Sequence, residues 1–592
     1  MIMINQRINQ LRDLMREQNI HAYLVPTADP HLSEYLPDHW KARKWLSGFT
    51  GSAGTLVVTA DVAALWTDSR YWEQAEQQLA GSLIVLKKQG IDQEPADWLA
   101  AELPEQAKVA IAADMLSLAA KKRFQAAFGA KNIILDTQTD LLTIWHDRPP
   151  LPTAPVFAHK AEYVDESAAQ KLARVRQFMQ QKQADYHLIS SLDDITWLTN
   201  LRGNDVPYNP VFLAYLLISA DSAVLFTDVN KLGAAEKSIL QQADIQWADY
   251  AGVGKALAAV SGCLLLDENK TAVATLINLP EDVEIIEHIN PSSLFKAKKS
   301  ATQIAHIRQA MRHDGAALCG FFAQLERELA EGKPLTEWDI GKMLTAHRSQ
   351  QPHYISPSFN TIAGFCENGA QPHYAASEDS HKQLMGNGLL LIDSGAQYHD
   401  GTTDITRVMA IGTATEAECI DFTLVLKAHI ALATAVFPAN ISGAVVDAIC
   451  RAPLWQTQRD YGHGTGHGVG YCLNVHEFPA TIAYRAAANP HNMMQVGQLI
   501  SNEPALYRAG QYGIRIENLI VCQSVGTSEF GEFVGFETLT LCPIDTRLVK
   551  VDLLTAAERA WLNAYHVEVY EKLSPLVQGE ALAWLRERTV MI

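Results

Sequence analysis

The chain has 592 residues, too many for one hydrophobic core, and at about 100 to 200 residues per domain it predicts three or four domains. Its composition, 48% hydrophobic and 19% charged, is that of an ordinary folded protein and excludes a largely disordered chain. The net charge of −18 opposes binding to nucleic-acid phosphates, and the densest basic cluster, Lys296, Lys298 and Lys299, is too small to offset it, so we expect no nucleic-acid partner.

The first predicted element is an amphipathic helix over residues 1–18, in which charges are scattered among the apolar positions. Because a secretory signal peptide needs an uninterrupted apolar stretch, we do not expect this helix to be one. No later apolar run is long enough to span a bilayer. The eight cysteines form no CxxC pair, which is typical of reduced thiols. We therefore expect a cytoplasmic protein with no membrane partner.

Residues 1–150 and 155–295 are predicted to form two related α/β domains, separated by the proline-rich segment 149–155. In each domain a helix precedes a short apolar strand, a segment that begins with Trp-Leu, and a strand that ends in Thr-Asp. These segments are residues 22–25, 45–49 and 64–68 in the first domain, and residues 186–189, 197–201 and 224–228 in the second. The number of residues between matching positions of the two copies increases along the chain. This predicts an insertion in the second copy, near residues 204–210. Chance similarity of two α/β segments is the alternative.

A further boundary falls near Asn290 and Pro291, and residues 296–545 are predicted to form a third domain. It opens with a long helix in which Ile304, Ile307 and Met311 recur at helical spacing. Residues 546–592 return to a helical pattern with one buried face, formed by Leu553, Ala556, Ala560, Trp561 and Tyr565. We expect this segment to be a helical C-terminal extension.

Five side chains that favour metal ions stand in glycine-punctuated segments between residues 388 and 520. They are Asp393, Asp404, His467, Glu503 and Glu517. Four carboxylates and one imidazole suit a pair of hard divalent cations, because anionic oxygens can bridge two ions and offset their repulsion. Two such cations lower the pKa of a shared water and polarise a carbonyl group. The sequence therefore predicts a dinuclear metal hydrolase.

Several of these acids lie at the ends of predicted strands. Residues 388–393 and 404–409 are predicted to be two paired strands, which would bring Asp393 and Asp404 side by side. In residues 513–518, strand alternation places Arg515 and Glu517 on the face opposite the isoleucines. A single Asp beside a Gly is usually a turn former, but several converging buried acids need the compensation that a metal supplies.

Residues 461–470 combine glycine and histidine in the segment YGHGTGHGVG. No frame matches GxGxxG and no Gly-Lys-Ser/Thr follows, which excludes a phosphate-binding loop. The lack of HExxH excludes a single-zinc protease helix. We expect these glycines to let histidines approach a crowded centre. Cys366 and Cys472 lie near the motifs without an evident companion base, so thiol catalysis is a disfavoured alternative.

Taken together, these motifs resemble those of the Xaa-Pro aminopeptidases (aminopeptidase P) of the long, three-domain type. That family shares the pita-bread fold with methionine aminopeptidase and prolidase. The matching catalytic segments are Gln371-Pro372-His373-Tyr374, LLIDSGAQYHDGTTDITRVMAIG, YGHGTGHGVGYCLNVHEFP and ISNEPALYRAGQYGIRIENL. WLSGFTGSAG, LWTDSR and the tail ending YEKLSPL extend the match over nearly the whole chain. The resemblance implies two creatinase-like α/β domains, a pita-bread catalytic domain and a short helical extension.

The resemblance also assigns roles to individual residues. It makes Asp393, Asp404, His467, Glu503 and Glu517 the ligands of two divalent ions, usually manganese with zinc or cobalt as alternatives, and Asp404 and Glu517 the bridging ones. It gives His373, His463 and His476 catalytic, substrate-facing roles, and Arg515 is predicted to bind substrate. Glu503 would carry a proton from the attacking water to the leaving nitrogen, and His476 would donate to the oxyanion. Ala505 and Phe478 depart from the family, which commonly has Gly at both positions.

The expected function is hydrolysis of the bond between an N-terminal residue and a following proline, with substrates that carry proline at the second position. Two alternatives stay open. One is a prolidase, which acts only on X-Pro dipeptides, and the other is a binding protein that keeps the pita-bread fold without catalysis. The second is disfavoured because buried acids are costly without metal. The resemblance implies a homodimer as well, with the apolar face around Trp561 and Tyr565 as its predicted contact.

Overall fold

The structure is a computed structural model that describes residues 2–486 and 489–592. The chain forms two compact units. The first comprises Met1–His159 and Glu166–Ser293, and the second comprises Lys160–Asp165 and Leu294–Ile592. Within the described ranges, no helix is both long enough and apolar enough to cross a membrane.

The first unit begins with a six-stranded sheet. Its strands are β1 (Ala22–Pro26), β2 (Thr55–Thr59), β3 (Ala63–Thr67), β4 (Ile84–Lys88), β5 (Lys108–Ile111) and β6 (Ile134–Asp136), in the order β4-β3-β2-β1-β5-β6. The helices are α1 (Ile2–Glu17), α2 (Ala42–Ser47), α3 (Trp72–Leu79), α4 (Pro95–Glu102) and α5 (Leu118–Phe128). Ile8, Leu11 and Met15 of α1 are buried, which confirms the predicted amphipathic helix.

A second six-stranded sheet follows. This part of the chain contains β7 (Phe157–Ala158), β8 (Tyr186–Ile189), β9 (Leu201–Arg202), β10 (Ala214–Ser219), β11 (Ala223–Thr227), β12 (Ile245–Asp249), β13 (Cys263–Leu266) and β14 (Glu284–Glu287). The sheet order is β12-β11-β10-β8-β13-β14, while β7 pairs with β9. The helices are α6 (Ala168–Gln181), α7 (Leu192–Thr199), α8 (Ala234–Gln242), α9 (Val253–Leu257) and α10 (Pro291–Lys296).

The two sheets have the same topology. The first strand of each lies between an antiparallel and a parallel neighbour, β2 and β5 for β1, and β10 and β13 for β8. The connection from α2 to β2 runs from Ser47 to Thr55, whereas that from α7 to β10 runs from Thr199 to Ala214. The longer connection lies where the insertion is predicted. Two related α/β modules are therefore confirmed, while the domain boundaries at residues 150, 155, 295 and 545 stay predictions.

The second unit opens with α11 (Ala301–Ala330), the long helix predicted from the sequence. Ser300 starts it with a capping box, in which the Ser300 hydroxyl accepts from Gln303 N and the Gln303 side chain accepts from Ser300 N. The other helices are α12 (Glu337–Arg348), α13 (Glu416–Ala433), α14 (Gly443–Trp455), α15 (Ala556–Leu573) and α16 (Gly579–Arg588). The last two confirm the predicted helical extension. The buried face predicted for it is wrong except at Tyr565 and the half-buried Trp561, because Leu553, Ala556 and Ala560 are exposed. The buried residues of α15 are Leu562, Tyr565, His566, Val569 and Leu573.

The strands of the second unit form four sheets. They are β15 (Tyr354–Pro357), β16 (Ile362–Phe365), β17 (Gly388–Ser394), β18 (Ala396–Tyr398), β19 (Gly401–Thr402), β20 (Ile405–Ile411), β21 (Phe437–Pro438), β22 (Gly466–Gly468), β23 (Glu477–Ile482), β24 (Leu499–Asn502), β25 (Ala505–Arg508), β26 (Tyr512–Arg515), β27 (Asn518–Ser528) and β28 (Gly531–Thr538). The sheet orders are β15-β18-β19, β16-β17-β20, β21-β28-β27-β24-β22-β23 and β25-β26. The predicted ligands come from the second and third of these sheets.

Helix α15 turns its aromatic residues inward. Tyr565 is 5% exposed, and Trp561 stacks on it with ring centroids 5.4 Å apart. Tyr565 is covered by its own chain, so it contributes no surface to the predicted dimer contact, and the contact around Trp561 stays a prediction.

Candidate metal centre

Asp393 and Asp404 lie on neighbouring antiparallel strands. Asp393 is in β17, and Asp404 immediately precedes β20. The register pairs Asp393 with Thr406, so Asp404 lies close to the position opposite Asp393. Leu390 and Leu391 of β17 pack in the main apolar cluster of the unit, which fixes the strand. The predicted pairing of these two strands is confirmed.

Glu503, Glu517 and His467 come from the six-stranded sheet of the second unit. Strand β24 pairs with β27, with Asn502 opposite Asn518, so Glu503 and Glu517 lie together just beyond this pair. His467 is in β22, the neighbour of β24. Gly466 allows that close approach, since a Cβ there would lie 2.0 Å from the carbonyl oxygen of Ser501.

The predicted ligands of these strands converge. Nε2 of His467 lies 3.6 Å from Oδ2 of Asp404 and 3.4 Å from Oε1 of Glu503. Donor atoms of Asp404, His467 and Glu517 all lie within 4.8 Å of one another. The structure therefore brings two acidic strand ends and the glycine-rich strand to one place.

Asp393 joins this group through the buried guanidinium of Arg515. Nη2 of Arg515 donates to Oδ2 of Asp393 at 2.6 Å, and Nε donates to the hydroxyl of Thr406 at 3.0 Å. The Thr406 hydroxyl donates to Oε2 of Glu517 at 2.7 Å. Oδ1 of Asp393 is buried and has no hydrogen-bond partner among the described residues. A buried carboxylate oxygen of this kind is a suitable donor to a cation.

Burial raises the pKa of all four carboxyl groups. For Asp404 and Glu517 the pKa lies well above its ordinary value, first because burial disfavours the charged form and then because neighbouring carboxylates repel it. Burial raises the pKa of Glu503 to about 7, and it raises that of Asp393, with Arg515 opposing both shifts. Four acids beside one guanidinium make an anionic site that divalent cations would neutralise.

His467 directs its unprotonated nitrogen at the acids. Its Nδ1 donates to the carbonyl oxygen of Gly468 at 3.0 Å, which leaves Nε2 without a proton in the neutral ring. One imidazole among carboxylates suits hard divalent ions such as manganese. The residues present therefore fit the dinuclear centre predicted from the sequence.

His476 and His463 lie beside the acids. The ring of His476 meets that of His467 edge-on, with centroids 4.3 Å apart. Nδ1 of His463 lies 3.9 Å from Oε2 of Glu503 and donates to the carbonyl oxygen of Gly464 at 2.7 Å. Nε2 of His463 therefore accepts from the hydroxyl of Tyr507, at 2.8 Å. Both histidines therefore lie beside proposed metal ligands, and their substrate-facing roles stay predictions.

Arg515 lies in a different environment from the one predicted. It is 2% exposed, and besides Asp393 and Thr406 its guanidinium donates to the hydroxyl of Tyr507 at 2.5 Å and to the carbonyl oxygen of Pro372 at 3.4 Å. This arginine therefore connects Asp393 to Tyr507, and the substrate-binding role predicted for it stays a prediction. The half-buried His373 follows Pro372 directly, on the segment that Arg515 holds.

Tyr507 was not predicted from the sequence. In the hairpin of β25 and β26, Tyr507 pairs with Gly513 and Ala505 with Arg515, so Tyr507 and Arg515 share a face. If the alternation of side chains is followed from Arg515 across the hairpin, it identifies Tyr507 as a residue on the same face. Burial raises the pKa of Tyr507 well above its ordinary value, so the hydroxyl stays protonated and can donate to His463.

Helix α14 supports the glycine-rich segment, which the sequence did not indicate. Arg451 donates through Nη1 to the carbonyl oxygen of Tyr461 at 2.9 Å and through Nη2 to that of His463 at 2.6 Å. Its Nε donates to Asp447 at 2.9 Å, and the hydroxyl of Thr465 donates to the same carboxylate. The buried ion pair of Arg451 and Asp447 therefore holds the segment that carries His463 and His467.

The basic cluster at the start of α11 is largely internal. Lys296 and Lys299 are buried, and Lys299 forms a buried ion pair with Glu477, next to His476. Lys299 therefore holds the start of β23, next to His476, and does not form part of a basic surface.

The thiol alternative gains no support from the structure. Burial raises the pKa of Cys366, which disfavours the thiolate needed for nucleophilic attack. Cys472 is buried. No disulfide joins cysteines in the described part of the chain.

Metal binding is expected to release protons. Because the pKa of Glu503 is about 7 in the metal-free site and those of Asp404 and Glu517 are raised further, these carboxyl groups hold protons that a cation must displace. The affinity for Mn²⁺ should therefore fall as the pH is lowered from about 8 to about 6. Calorimetry in two buffers of different ionisation enthalpy measures both quantities. A pH-independent affinity without proton release would contradict the raised pKa values.

Four stretches of the chain match known families. Residues 7–142 and 147–303 match the creatinase/prolidase N-terminal domain, residues 305–524 match metallopeptidase family M24, and residues 532–592 match the C-terminal region of peptidase M24. These matches cover both units of the structure.

Full-length relatives and one solved structure extend the comparison. Xaa-Pro aminopeptidase 1 of Dictyostelium discoideum is 36% identical over 610 residues, covering 99% of this chain and 96% of that protein. Aminopeptidase P2 of Arabidopsis thaliana is 38% identical over 635 residues, covering 99% and 88%. The X-prolyl aminopeptidase of Caenorhabditis elegans, described as a cytosolic enzyme with a di-nuclear active site, has a TM-score of 0.94 at 32% identity and 100% coverage of both chains. The predicted fold class is confirmed.

Proposed function

The chain belongs to the Xaa-Pro aminopeptidases of metallopeptidase family M24, and on this premise we propose that it hydrolyses the bond between an N-terminal residue and a following proline in X-Pro-Y peptides. One observation carries the proposal. Three buried carboxyl groups, the half-buried Glu503 and one imidazole converge in an anionic site, within the stretch that matches family M24.

The five converging side chains would hold two divalent cations, with two of the acids shared between the ions. We assign Asp393, Asp404, His467, Glu503 and Glu517 as the ligands, and Asp404 and Glu517 as the shared pair. When bound, the cations supply a water of lowered pKa and polarise the scissile carbonyl. We propose manganese, with zinc and cobalt as alternatives.

Glu503 is proposed to move the proton. Its carboxyl group lies beside the other proposed ligands, with Oε1 3.4 Å from Nε2 of His467, and a carboxyl group so placed can both accept and return a proton. The hydroxyl of Ser501 donates to Oε1 of Glu503 at 3.2 Å and orients the group. Glu503 takes a proton from the attacking water and delivers it to the nitrogen of the leaving proline.

The histidines are proposed to bind the substrate. His476 would donate to the carbonyl oxygen as negative charge develops there. Its ring meets that of His467 edge-on, with centroids 4.3 Å apart, so it lies beside a proposed metal ligand. His463 and His373 would bind the peptide on either side, with Tyr507 and Arg515 positioning His463.

The two positions at which this chain lacks the glycine common in the family, Ala505 and Phe478, differ in the exposure of their side chains. Ala505 is fully buried, whereas Phe478 is 44% exposed, two residues after His476. An exposed aromatic ring beside a catalytic histidine can contact substrate, so we propose that Phe478 affects which peptides are preferred.

Three peptides compared side by side test the proposed function. X-Pro-Y should lose its N-terminal residue, X-Ala-Y should be cleaved at least about a hundredfold more slowly, and X-Pro alone should be a poor substrate. The physical reason is that an X-Pro bond is a tertiary amide with restricted geometry, so a site shaped for the ring rejects a secondary amide. Chromatography of the products gives kcat/KM for each peptide.

The same assay separates the alternatives. Preference for the dipeptide would identify a prolidase, and equal cleavage of X-Ala-Y would identify a broad aminopeptidase. No cleavage by protein loaded with Mn²⁺ would favour a non-catalytic binding protein. The complete set of buried acids favours catalysis over that last alternative, because uncompensated buried carboxylates destabilise a fold.

Assembly and location are also part of the proposal. We propose that it is cytoplasmic, as its Caenorhabditis elegans relative is described as cytosolic. We also propose the homodimer that the resemblance to the three-domain enzymes implies. Tyr565 is buried and contributes no surface to its contact.

A further inference from the structure

Arg407 is a buried cation beside the proposed metal ligands. It lies in β20, shortly after Asp404, and is 5% exposed. Its recorded hydrogen-bond partners are all neutral: four main-chain carbonyl oxygens, one amide oxygen and one hydroxyl. A buried guanidinium keeps one orientation while such partners satisfy its donors.

Nη1 of this guanidinium contacts the main chain at and near the proposed bridging ligands. Nη1 of Arg407 donates to the carbonyl oxygen of Thr406 at 2.9 Å and to that of Glu517 at 2.7 Å. The amide nitrogen of Glu517 donates to the carbonyl oxygen of Thr406 at 3.2 Å. Arg407 therefore sets the spacing between β20, which follows Asp404, and the turn that carries Glu517.

The other side of the guanidinium meets the C-terminal part of the chain. Nη2 of Arg407 donates to the hydroxyl oxygen of Tyr565 at 3.0 Å and to the carbonyl oxygen of Cys542 at 2.8 Å, while Nε donates to that of Pro543 at 3.0 Å. The Tyr565 hydroxyl also donates to the carbonyl oxygen of Cys542, at 2.9 Å. Helix α15 thus holds Arg407 directly and through the segment before it.

We propose that helix α15 is a positioning element of the metal centre, with Tyr565 acting through Arg407 on the geometry of Glu517 and Asp404. The inference rests on the proposed dinuclear site, and it gives the C-terminal extension a role in metal binding. Without the Tyr565 hydroxyl, Nη2 of Arg407 keeps Asn518 and Cys542 as acceptors, but the amide nitrogen of Cys542 loses the acceptor that it has in that hydroxyl at 3.3 Å. The Cys542–Pro543 segment, whose carbonyl oxygens hold Arg407, can then shift together with the guanidinium and the main chain of Glu517. Groups that orient metal ligands change metal affinity by about 10- to 100-fold.

Tyr565→Phe tests this with the full-length protein. It removes one hydroxyl and keeps the ring that stacks on Trp561. Tyr570→Phe on the same helix is the matched control, since no hydrogen bond of its hydroxyl is found within the described ranges. Calorimetry with Mn²⁺ gives the Kd, and thermal unfolding of the metal-free proteins gives Tm. We expect Tyr565→Phe to weaken Mn²⁺ binding about tenfold and Tyr570→Phe to leave it unchanged.

A double variant tests whether Tyr565 acts through Arg407. Arg407→Lys keeps the charge but loses the fork of donors, and it should weaken Mn²⁺ binding at least as much as Tyr565→Phe. If Tyr565 affects the metal site only through Arg407, the double variant should bind Mn²⁺ no more weakly than Arg407→Lys alone. At saturating Mn²⁺ the KM for X-Pro-Y should stay close to that of the unaltered enzyme, because the substrate-facing histidines are unchanged.

The outcomes are distinguishable. A lower metal-free Tm for Tyr565→Phe with unaltered Mn²⁺ affinity would show a purely structural role and overturn the inference, as would additive losses in the double variant. If the unaltered protein binds no divalent cation, the proposed function fails first. If Tyr565→Phe does not fold, the Arg407→Lys variant with unchanged Mn²⁺ affinity would still overturn the inference.

Discussion

Replacing Asp404 with Asn is expected to lower kcat/KM at least about a thousandfold and to reduce the bound metal to about one ion per chain or fewer. Glu517→Gln should do the same, because both carboxylates are assigned to hold both cations. The amide keeps the shape of the side chain but loses the anionic oxygen that a hard cation prefers. Peptide assays give the loss of activity, and elemental mass spectrometry of the purified protein gives the metal content.

Stability measurements separate this effect from unfolding. Burial and then repulsion from neighbouring carboxylates raise the pKa of Asp404, so at neutral pH the metal-free protein must bind a proton at Asp404 on folding, and this proton uptake opposes folding. Asp404→Asn should therefore leave the metal-free Tm unchanged or raise it. Asp552→Asn, at an exposed position of the same unit, is the control that should keep full activity and metal. Retention of two ions by Asp404→Asn would remove Asp404 from the ligand set.

Replacing His476 with Ala is expected to lower kcat by about 10²- to 10³-fold while both metal ions stay bound. His476 is proposed to stabilise charge that develops only during the reaction, so its loss should affect kcat far more than KM. Its ring packs edge-on against that of His467 without being assigned to the metal. Steady-state kinetics with X-Pro-Y and a metal determination on the same sample measure both effects.

The matched control for this variant is His381→Ala, at an exposed histidine of the same unit. It should retain the activity and metal content of the unaltered enzyme. Loss of metal from His476→Ala would mean that a ligand has been misassigned, and a raised KM with unchanged kcat would move His476 from the reacting carbonyl to substrate binding.

Much of the fold could be predicted because its signals are local. The apolar run 388–393 and its partner 404–409 have the composition of buried strands, and they pair as β17 and β20. Two copies of one element order predict two similar sheets, and their topologies agree. The capping box at Ser300 marks the start of α11 in the sequence itself.

The candidate site could be predicted in its chemistry but not in its supports. Five acidic and imidazole side chains were identifiable because residue type limits which metals they suit. Tyr507 and Arg451 were missed, because their roles come from hydrogen bonds to groups that carry no compositional signal, such as the carbonyl oxygen of His463. Alternation placed Arg515 on the same face as Glu517, but it could not identify Asp393 and Tyr507 as the partners of Arg515, because the partner on a face depends on the packing of distant segments.

By itself the sequence determined the element types, the repeated N-terminal modules and the residues able to hold two cations. These depend on periodicity and on side-chain chemistry, which are properties of short segments. The tertiary structure alone identifies Arg407 as the hydrogen-bond partner of Tyr565, since the two are 158 residues apart. Helical spacing predicts that one face of α15 is buried, but the partner of a buried hydroxyl depends on which distant strands pack there. The difference arises because burial is a local preference, whereas hydrogen-bond partners are set by the packing of the whole unit.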